Sequence, residues 1–163
     1  MKKQFLPLLL VLCLLIACVP KGNVYHGTLF DATMPDGFAP VENAGMLCFA
    51  PNGDPLLNSS ITFYTTEPNW YFDRFTDEDY QNALIDAGYP IVSFDGVTAC
   101  RIDSYEARRI ECRVQIDQGE QTLVVYAVSS YKTYFFTLLN RDGDRYIEPF
   151  DAMMKTVHLK GVQ

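Results

Sequence analysis

Two neighbouring segments in the second half of the chain are apolar at almost every position, and they constrain the fold more than any other feature. Residues 123–128 read Leu-Val-Val-Tyr-Ala-Val, and residues 134–139 read Tyr-Phe-Phe-Thr-Leu-Leu. Short runs rich in β-branched and aromatic residues are typical of strands. A strand that is apolar on both faces must be covered on both sides. We therefore expect these two strands inside a sheet, with helices packed on both of its faces.

Further strand patterns surround this central pair. Residues 109–116 alternate apolar and polar side chains, which is typical of a strand with one solvated face, so we place it nearer an edge. Residues 45–50 and 60–66 are separated by a dense group of turn-forming residues, Pro-Asn-Gly-Asp-Pro, and are predicted to form a hairpin. Strands are also predicted over residues 24–33, where the turn Met-Pro-Asp-Gly follows, and over 97–103.

Two helices are predicted from capping and periodicity. Thr76 precedes three acidic residues, where its hydroxyl can cap the helix and the helix dipole favours negative charge. This helix ends at Gly88, which Pro90 follows. A second helix is predicted over residues 145–158, where apolar side chains recur every three or four positions. The predicted elements therefore form a sheet with helices on both faces, in one domain over residues 24–163.

The start of the chain has the pattern of an export signal. Two lysines follow Met1, and an apolar core of twelve residues, 5–16, comes next. This core is shorter than the roughly 20 residues that a membrane-spanning helix needs. A positively charged start before a short apolar core indicates a signal peptide over residues 1–17.

The end of this signal, Leu15-Ile16-Ala17-Cys18, resembles the lipobox of bacterial lipoproteins. The resemblance implies that Cys18 is lipidated and becomes the N-terminus, with residues 18–23 as the lipidated end and short linker. The protein would then be held by lipid on the extracytoplasmic side of the cell membrane, or on the outer membrane if the host has one. The alternative is an ordinary cleaved signal, which would release a secreted protein.

Three features of the mature chain resemble a second family. They are the first strand leading into Met34-Pro35-Asp36-Gly37-Phe38, the hairpin that crosses Cys100 and Cys112, and the segment 130–135 leading to the last helix. Together they resemble the domain of the photosystem II subunit PsbP, of a Ran-binding nuclear import factor with the same fold, and of related lipoproteins. The resemblance implies an α+β fold, a mostly antiparallel twisted sheet flanked by helices on both faces in a PsbP-like α/β/α sandwich. It also implies a binding or assembly factor, and it carries over no catalytic residue.

The domain holds three cysteines, so they cannot all pair with one another. If Ile102 faces Ile110 in the hairpin, then Cys100 faces Cys112 on the same side of the sheet. A disulfide between Cys100 and Cys112 would suit that geometry and an exported location. The alternative is a pair of thiols packed in the core.

Four aromatic residues precede the first helix: Trp70, Tyr71, Phe72 and Phe75. An exposed cluster of this kind would suit a sugar or peptide ligand, so we treat it as a tentative binding segment. The alternative is that these rings pack the helix onto the sheet.

No pattern for catalysis is present in the sequence. The domain's two histidines, His26 and His158, lie in no recognised motif, and we expect neither a metal nor another cofactor. The formal net charge of -7 argues against a nucleic-acid partner. We therefore expect a membrane-anchored, non-enzymatic binding or assembly module for an envelope protein partner. The alternative is a lipoprotein that binds or hydrolyses envelope glycans or peptides.

Overall fold

The computed structural model describes residues 23–43, 46–68, 72–117 and 119–161. Within these ranges, ten strands and two helices are present. The strands are β1 (Val24–His26), β2 (Phe30–Thr33), β3 (Phe38–Asn43), β4 (Met46–Pro51), β5 (Ser60–Thr66), β6 (Ile91–Ile102), β7 (Tyr105–Ile116), β8 (Gly119–Ser129), β9 (Thr133–Asn140) and β10 (His158–Leu159). The helices are α1 (Asp77–Asp86) and α2 (Ile147–Met154).

The main sheet has seven strands in the order β3-β4-β5-β9-β8-β7-β6, and a smaller sheet has the order β1-β2-β10. Every strand pair in the described residues is antiparallel. The two apolar runs form β8 and β9, which lie side by side near the middle of the main sheet. Their residues are buried on both faces, which confirms the expectation from the apolar pattern.

Alternate residues of β8 point into two separate hydrophobic clusters, one on each face of the main sheet. Val124, Tyr126 and Val128 join α2 on one side, which we call the α2 face. Leu123, Val125 and Ala127 join α1 on the other side, which we call the α1 face. The small sheet also packs on the α2 face, through side chains such as Phe30 and Leu159. The prediction of helices on both faces is therefore met in part, because a small sheet shares one face with its helix.

Helix α1 begins where its capping pattern predicts. The Thr76 hydroxyl accepts a hydrogen bond from the backbone N–H of Asp79 at 3.3 Å, and the Asp79 carboxylate accepts one from the backbone N–H of Thr76 at 2.7 Å. The Asp79 carboxylate also accepts from the Thr76 hydroxyl at 2.7 Å, and the hydrogen bonds from the N–H and the hydroxyl of Thr76 lower the pKa of Asp79. The helix ends before Gly88, whose φ of 91° is readily adopted only by glycine.

The β6–β7 hairpin has a different register from the one predicted, and this removes the expected disulfide. Asp103 and Ser104 form a two-residue turn with positive φ at both positions, so Cys100 is paired with Ala107 and Cys112 with Phe94. This register differs from the predicted one by an odd number of residues, which turns the two cysteines to opposite faces. Cys100 packs against the α2 face and Cys112 lies in the cluster of the α1 face. Cys100 and Cys112 are both free thiols in the structure, which agrees with the alternative of two packed thiols.

Three further differences concern the number and the bounds of the elements. The predicted first strand is split into β1 and β2 by a turn in which the Gly27 N–H donates to the carbonyl of Phe30 at 3.0 Å. Strand β3 was not predicted. Helix α2 is shorter than predicted, because the chain leaves it at Lys155 and pairs with β2 as β10. Neither α1 nor α2 has both the length and the apolar character that crossing a membrane requires.

Candidate functional site

An apolar pocket lies between helix α2 and the connection from β2 to β3. Its volume is about 250 Å³. The pocket is lined by Thr33, Met34, Pro35, Asp36, Pro149, Ala152, Met153 and Thr156. Sequence reasoning assigned these residues only to a turn and to a core-facing helix. The pocket was not predicted, because it is formed by two apolar, proline-containing segments that are far apart in the sequence and that only the tertiary fold brings together.

One wall of the pocket is fixed by hydrogen bonds across the two elements. The Thr156 hydroxyl donates to the carbonyl of Met153 at 2.7 Å and accepts from the N–H of Thr33 at 2.8 Å. This single side chain therefore joins the end of α2 to the end of β2. Because both contacts involve backbone atoms, they hold the wall in place without a ligand.

The second wall is a turn beside Asn23, the first described residue. The Met34 N–H donates to the carbonyl of Asn23 at 2.9 Å, and the Phe38 N–H donates to the carbonyl of Pro35 at 3.1 Å. Gly37 lies between them with φ of 82°, a conformation that strongly favours glycine. The turn is thus built by the Met-Pro-Asp-Gly sequence itself.

The pocket suits one apolar group. Its volume is just below the range of roughly 300–1,000 Å³ that is typical of small-molecule sites. Two of its side chains, Met34 and Met153, are thioethers that adapt to the shape of what they contact. The carboxylate of Asp36 stands at an exposed position beside them. The arrangement can therefore bind an apolar side chain, with a negative charge next to it.

Behind the pocket helix, a polar cluster joins α2 to the main sheet. Arg109 of β7 contacts Asp151 of α2 at 3.0 Å and Glu111 at 2.6 Å, and the Tyr126 hydroxyl donates to Asp151 at 2.8 Å. Burial, followed by this hydrogen bond, raises the pKa of Tyr126 well above its ordinary value. Tyr126 therefore remains a protonated donor at neutral pH, and the cluster positions the helix.

The aromatic segment is described only in part. Trp70 and Tyr71 lie outside the described residues. Phe72 is 5% exposed within the cluster of the α1 face, with the Arg108 guanidinium 5.0 Å from the centre of its ring. Phe75 is half-buried and meets Tyr80 of α1 edge-on. Phe72 and Phe75 therefore pack between α1 and the main sheet, as the alternative interpretation predicted, and they do not form an exposed stacking surface.

The two histidines come close together in the fold, although they are far apart in the sequence. His26 of β1 and His158 of β10 both lie opposite Asp31 of β2. His26 is 3.2 Å from the Asp31 carboxylate, and His158 is 3.1 Å from that of Asp103. The Lys160 ammonium, which hydrogen-bonds to Asp31, is the main reason why the pKa of that carboxyl lies below its ordinary value.

The His26–Asp31 pair joins β1 to β2 within the small sheet, and the His158–Asp103 pair joins β10 to the turn between β6 and β7. Both imidazole rings are largely exposed, at 72% and 69% of their side-chain surface. Across the described parts of the chain, no group of three His, Cys, Asp or Glu residues is arranged to hold a metal ion. Cys18, the predicted lipidation site, lies outside the described residues.

The sequence matches no protein-family model and no curated protein. Its fold is similar to solved structures. Cyanobacterial PsbP (CyanoP) from Synechocystis sp. PCC 6803 superimposes with a TM-score of 0.64 at 18% identity, over 88% of this chain and 98% of that protein. These values confirm the PsbP-like fold that the sequence resemblance implied.

Two further structures share this fold. LpqN, which is involved in cell envelope biogenesis of Mycobacterium tuberculosis, has a TM-score of 0.55 at 11% identity, over 88% of this chain and 87% of its own. PA94 from Pseudomonas aeruginosa, a protein of unknown function, has a TM-score of 0.54 at 15% identity, over 86% of this chain and 98% of its own. At such low identities the likeness establishes the fold alone.

Proposed function

We propose that this protein is a lipid-anchored extracytoplasmic module that binds an envelope protein partner without catalysing a reaction. The observation that carries the proposal is the apolar pocket between Met34 and Met153. One wall is held by hydrogen bonds between the Thr156 hydroxyl and the backbone, and the other by backbone hydrogen bonds, so the pocket is formed before a partner arrives. Preformed apolar pockets are the places where a partner's anchor side chain contributes most to binding.

The anchor and the location rest on the N-terminal sequence. Residues 1–17 have the pattern of a signal peptide, and the resemblance of Leu-Ile-Ala-Cys to a lipobox supports lipidation of Cys18. The structural neighbours support an envelope role, since LpqN is described as involved in cell envelope biogenesis. None of the three similar proteins is described as an enzyme, which supports a non-enzymatic role.

The partner is tested by site-specific crosslinking in the native membrane. A photo-crosslinking amino acid replaces Asp36, which is exposed beside the pocket, in the full-length protein. We expect it to capture one protein partner in stoichiometric amount, identified by mass spectrometry. The same amino acid at Asp86, at the end of α1, should not capture that partner.

A plugged pocket provides the matched test. Ala152→Trp fills the pocket from an exposed position of α2, so it should leave the fold intact and abolish capture at position 36. Asn82→Trp places the same ring at an exposed position of α1 and should leave capture unchanged. Equal capture by both variants would contradict the pocket's role. Capture of lipid or glycan alone would contradict a protein partner and favour the ligand-binding alternative.

The lipid anchor is tested separately. Radiolabelled fatty acid should appear on the full-length protein and be absent from Cys18→Ala. Equal labelling of both proteins, or labelling of neither, would contradict the anchor.

A further inference from the structure

The connection from β4 to β5 presents two neighbouring leucines to solvent. Leu56 is 73% exposed and Leu57 is 78% exposed, the two largest values among the exposed large hydrophobic side chains of the described residues. Single exposed apolar residues are ordinary on protein surfaces, but two adjacent leucines at such exposure form a continuous apolar surface. We call residues 54–58 the leucine tip.

The leucine tip is held in shape by its own hydrogen bonds. One oxygen of the Asp54 carboxylate accepts from the N–H of Leu56 at 2.9 Å and from the N–H of Leu57 at 3.3 Å. The backbone and the side-chain amide of Asn58 both donate to the carbonyl of Asp54, at 3.2 and 2.9 Å. The tip therefore projects its leucines without any partner to order it. Its one charged side chain is engaged by the tip's own backbone.

The strand register places the leucine tip at the end of the main sheet where the described chain begins. Phe38, at the start of β3, is paired with Pro51, the last residue of β4, and the tip begins three residues after Pro51. The turn before Phe38 contains Met34, whose N–H is bonded to Asn23. The first described residue and the tip therefore share one end of the fold.

This end is also the one nearest to the predicted lipid. Cys18 precedes Asn23 by five residues, which span at most about 18 Å when fully extended. An acylated Cys18 would thus keep this end of the sheet near the membrane surface. A short tether also raises the local concentration of a weak second contact, so that it adds to attachment.

We propose that the leucine tip inserts Leu56 and Leu57 into the interfacial region of the bilayer that holds the lipidated Cys18. The inference rests on the lipid anchor of the proposed function. Burial of apolar surface drives the insertion. Charge attraction does not contribute, because cleavage of the signal peptide removes two of the 13 basic residues and leaves an acidic chain, which anionic lipid would repel. The tip fixes which end of the domain faces the membrane and leaves the opposite end, around Tyr105, directed away from it.

The test reads lipid contacts at a single position. The full-length lipidated protein, with benzoylphenylalanine in place of Leu57, is reconstituted in vesicles of phosphatidylcholine and phosphatidylglycerol, irradiated and examined by mass spectrometry. The control carries the same group in place of Tyr105, which is exposed at the opposite end of the sheet. We expect lipid adducts at position 57 to exceed those at position 105 about tenfold, since an inserted group stays in contact with lipid.

Salt dependence separates insertion from electrostatic adsorption. Raising NaCl from about 50 mM to about 500 mM should leave the adduct yield at position 57 unchanged or increase it, because screening weakens the repulsion of an acidic domain. A large loss of adducts with salt would overturn the inference. Equal lipid adducts at positions 57 and 105 would also overturn it.

Two other outcomes count against insertion: the first leaves the proposed function standing, and the second also removes its lipid anchor. Protein adducts at position 57 in native membranes, without lipid adducts, would make the tip a protein-docking surface. An intact mass that shows no acyl group on Cys18 would remove the tether on which the inference depends. Partner capture at the apolar pocket is measured independently of both results, because it uses a crosslinker at position 36 and detects a different adduct.

Discussion

Arg109 of β7 and Asp151 of α2 form the ion pair that fastens the pocket helix to the main sheet, with Nε of Arg109 3.0 Å from the Asp151 carboxylate. The same carboxylate oxygen accepts the hydroxyl of Tyr126. The two charged side chains are 19% and 30% exposed, so the pair is largely shielded from water. The Asp151 carboxylate thus joins α2, which carries Met153 of the pocket, to β7 and β8 of the main sheet.

Loss of this carboxylate should destabilise the protein. Asp151→Ala leaves the Tyr126 hydroxyl without its acceptor and Arg109 with Glu111 alone, so we expect the free energy of unfolding to fall by about 1–3 kcal/mol. Urea denaturation measures the change. Asp144→Ala is the control, because Asp144 is 68% exposed and 3.4 Å from Arg113, and such surface pairs contribute only about 0–1 kcal/mol. Equal losses in the two variants would contradict the role of the buried pair.

Cys100 and Cys112 should both be reduced in the folded protein. Alkylation of the unfolded chain without reductant should therefore label both positions, as read by peptide mass spectrometry. In the folded protein, Cys112 should resist labelling at pH 8, because burial raises the pKa of its thiol to about 12. Cys100 is half-buried and should react faster than Cys112. Failure to label the pair until reductant is added would indicate the disulfide that the hairpin register argues against.

The same thiol predicts a loss of stability at alkaline pH. Cys112 has a pKa of about 12 in the folded protein, against an ordinary value of 9.0, so the unfolded chain releases this proton first. Its contribution is fully present below about pH 9 and is lost as the pH rises toward 12. Above pH 9 we expect the free energy of unfolding of the unmodified protein to fall by about 1.4 kcal/mol more per pH unit than that of Cys112→Ala. Parallel curves from pH 8 to 11 would show that the thiol is not linked to folding.

The cap of α1 should contribute measurably to stability. Thr76→Ala removes the hydroxyl that accepts from the N–H of Asp79, and we expect a loss of about 1 kcal/mol in urea denaturation at pH 7. Asn82→Ala, at an exposed position of the same helix, is the control and should be neutral or slightly stabilising. If both variants had the same stability, the cap would contribute nothing.

Acid should weaken the same cap. The pKa of Asp79 is lowered in the folded protein, so its contribution is present above its ordinary value of 3.8 and is lost as the pH falls through the folded pKa. The stability difference between the unmodified protein and Asp79→Asn should therefore shrink as the pH is lowered from 6 to 3. A difference that does not change with pH would contradict this assignment.

The β6–β7 turn offers a stabilising substitution. Ser104 has φ of 70°, a conformation that costs an L-residue about 1–2 kcal/mol and glycine little. Ser104→Gly should raise the free energy of unfolding by about 0.5–1 kcal/mol after the added chain entropy of glycine is offset. Ser104→Ala retains the strain and serves as the control. Equal stability of the two variants would indicate that the turn relaxes by another route.

Local patterns predicted the elements that depend on neighbouring residues. The apolar runs at 123–128 and 134–139 indicated two buried strands, and the capping pattern at Thr76 gave the start of α1, because each depends on residues a few positions apart. The β4–β5 hairpin was predicted for the same reason, since its turn-forming residues lie between its strands.

Pairings between distant segments could not be predicted in this way. The two-residue turn at Asp103 and Ser104 set the hairpin register, and that register turned Cys100 and Cys112 to opposite faces. Strand β3 and the short β10 exist because β4 and β2 offer them partners, and neither has a strong pattern of its own.

The sequence by itself determined both helices and most of the strands, and that both faces of the main sheet are covered, while the export signal and the lipidation of Cys18 stay predictions. These follow from periodicity, capping and composition, which are properties of contiguous residues. Only the tertiary structure decided the pocket between Met34 and Met153 and the position of Leu56 and Leu57 at the end of the sheet where the described chain begins. Both depend on contacts between residues that are far apart in the chain, and these are fixed by packing against the rest of the fold.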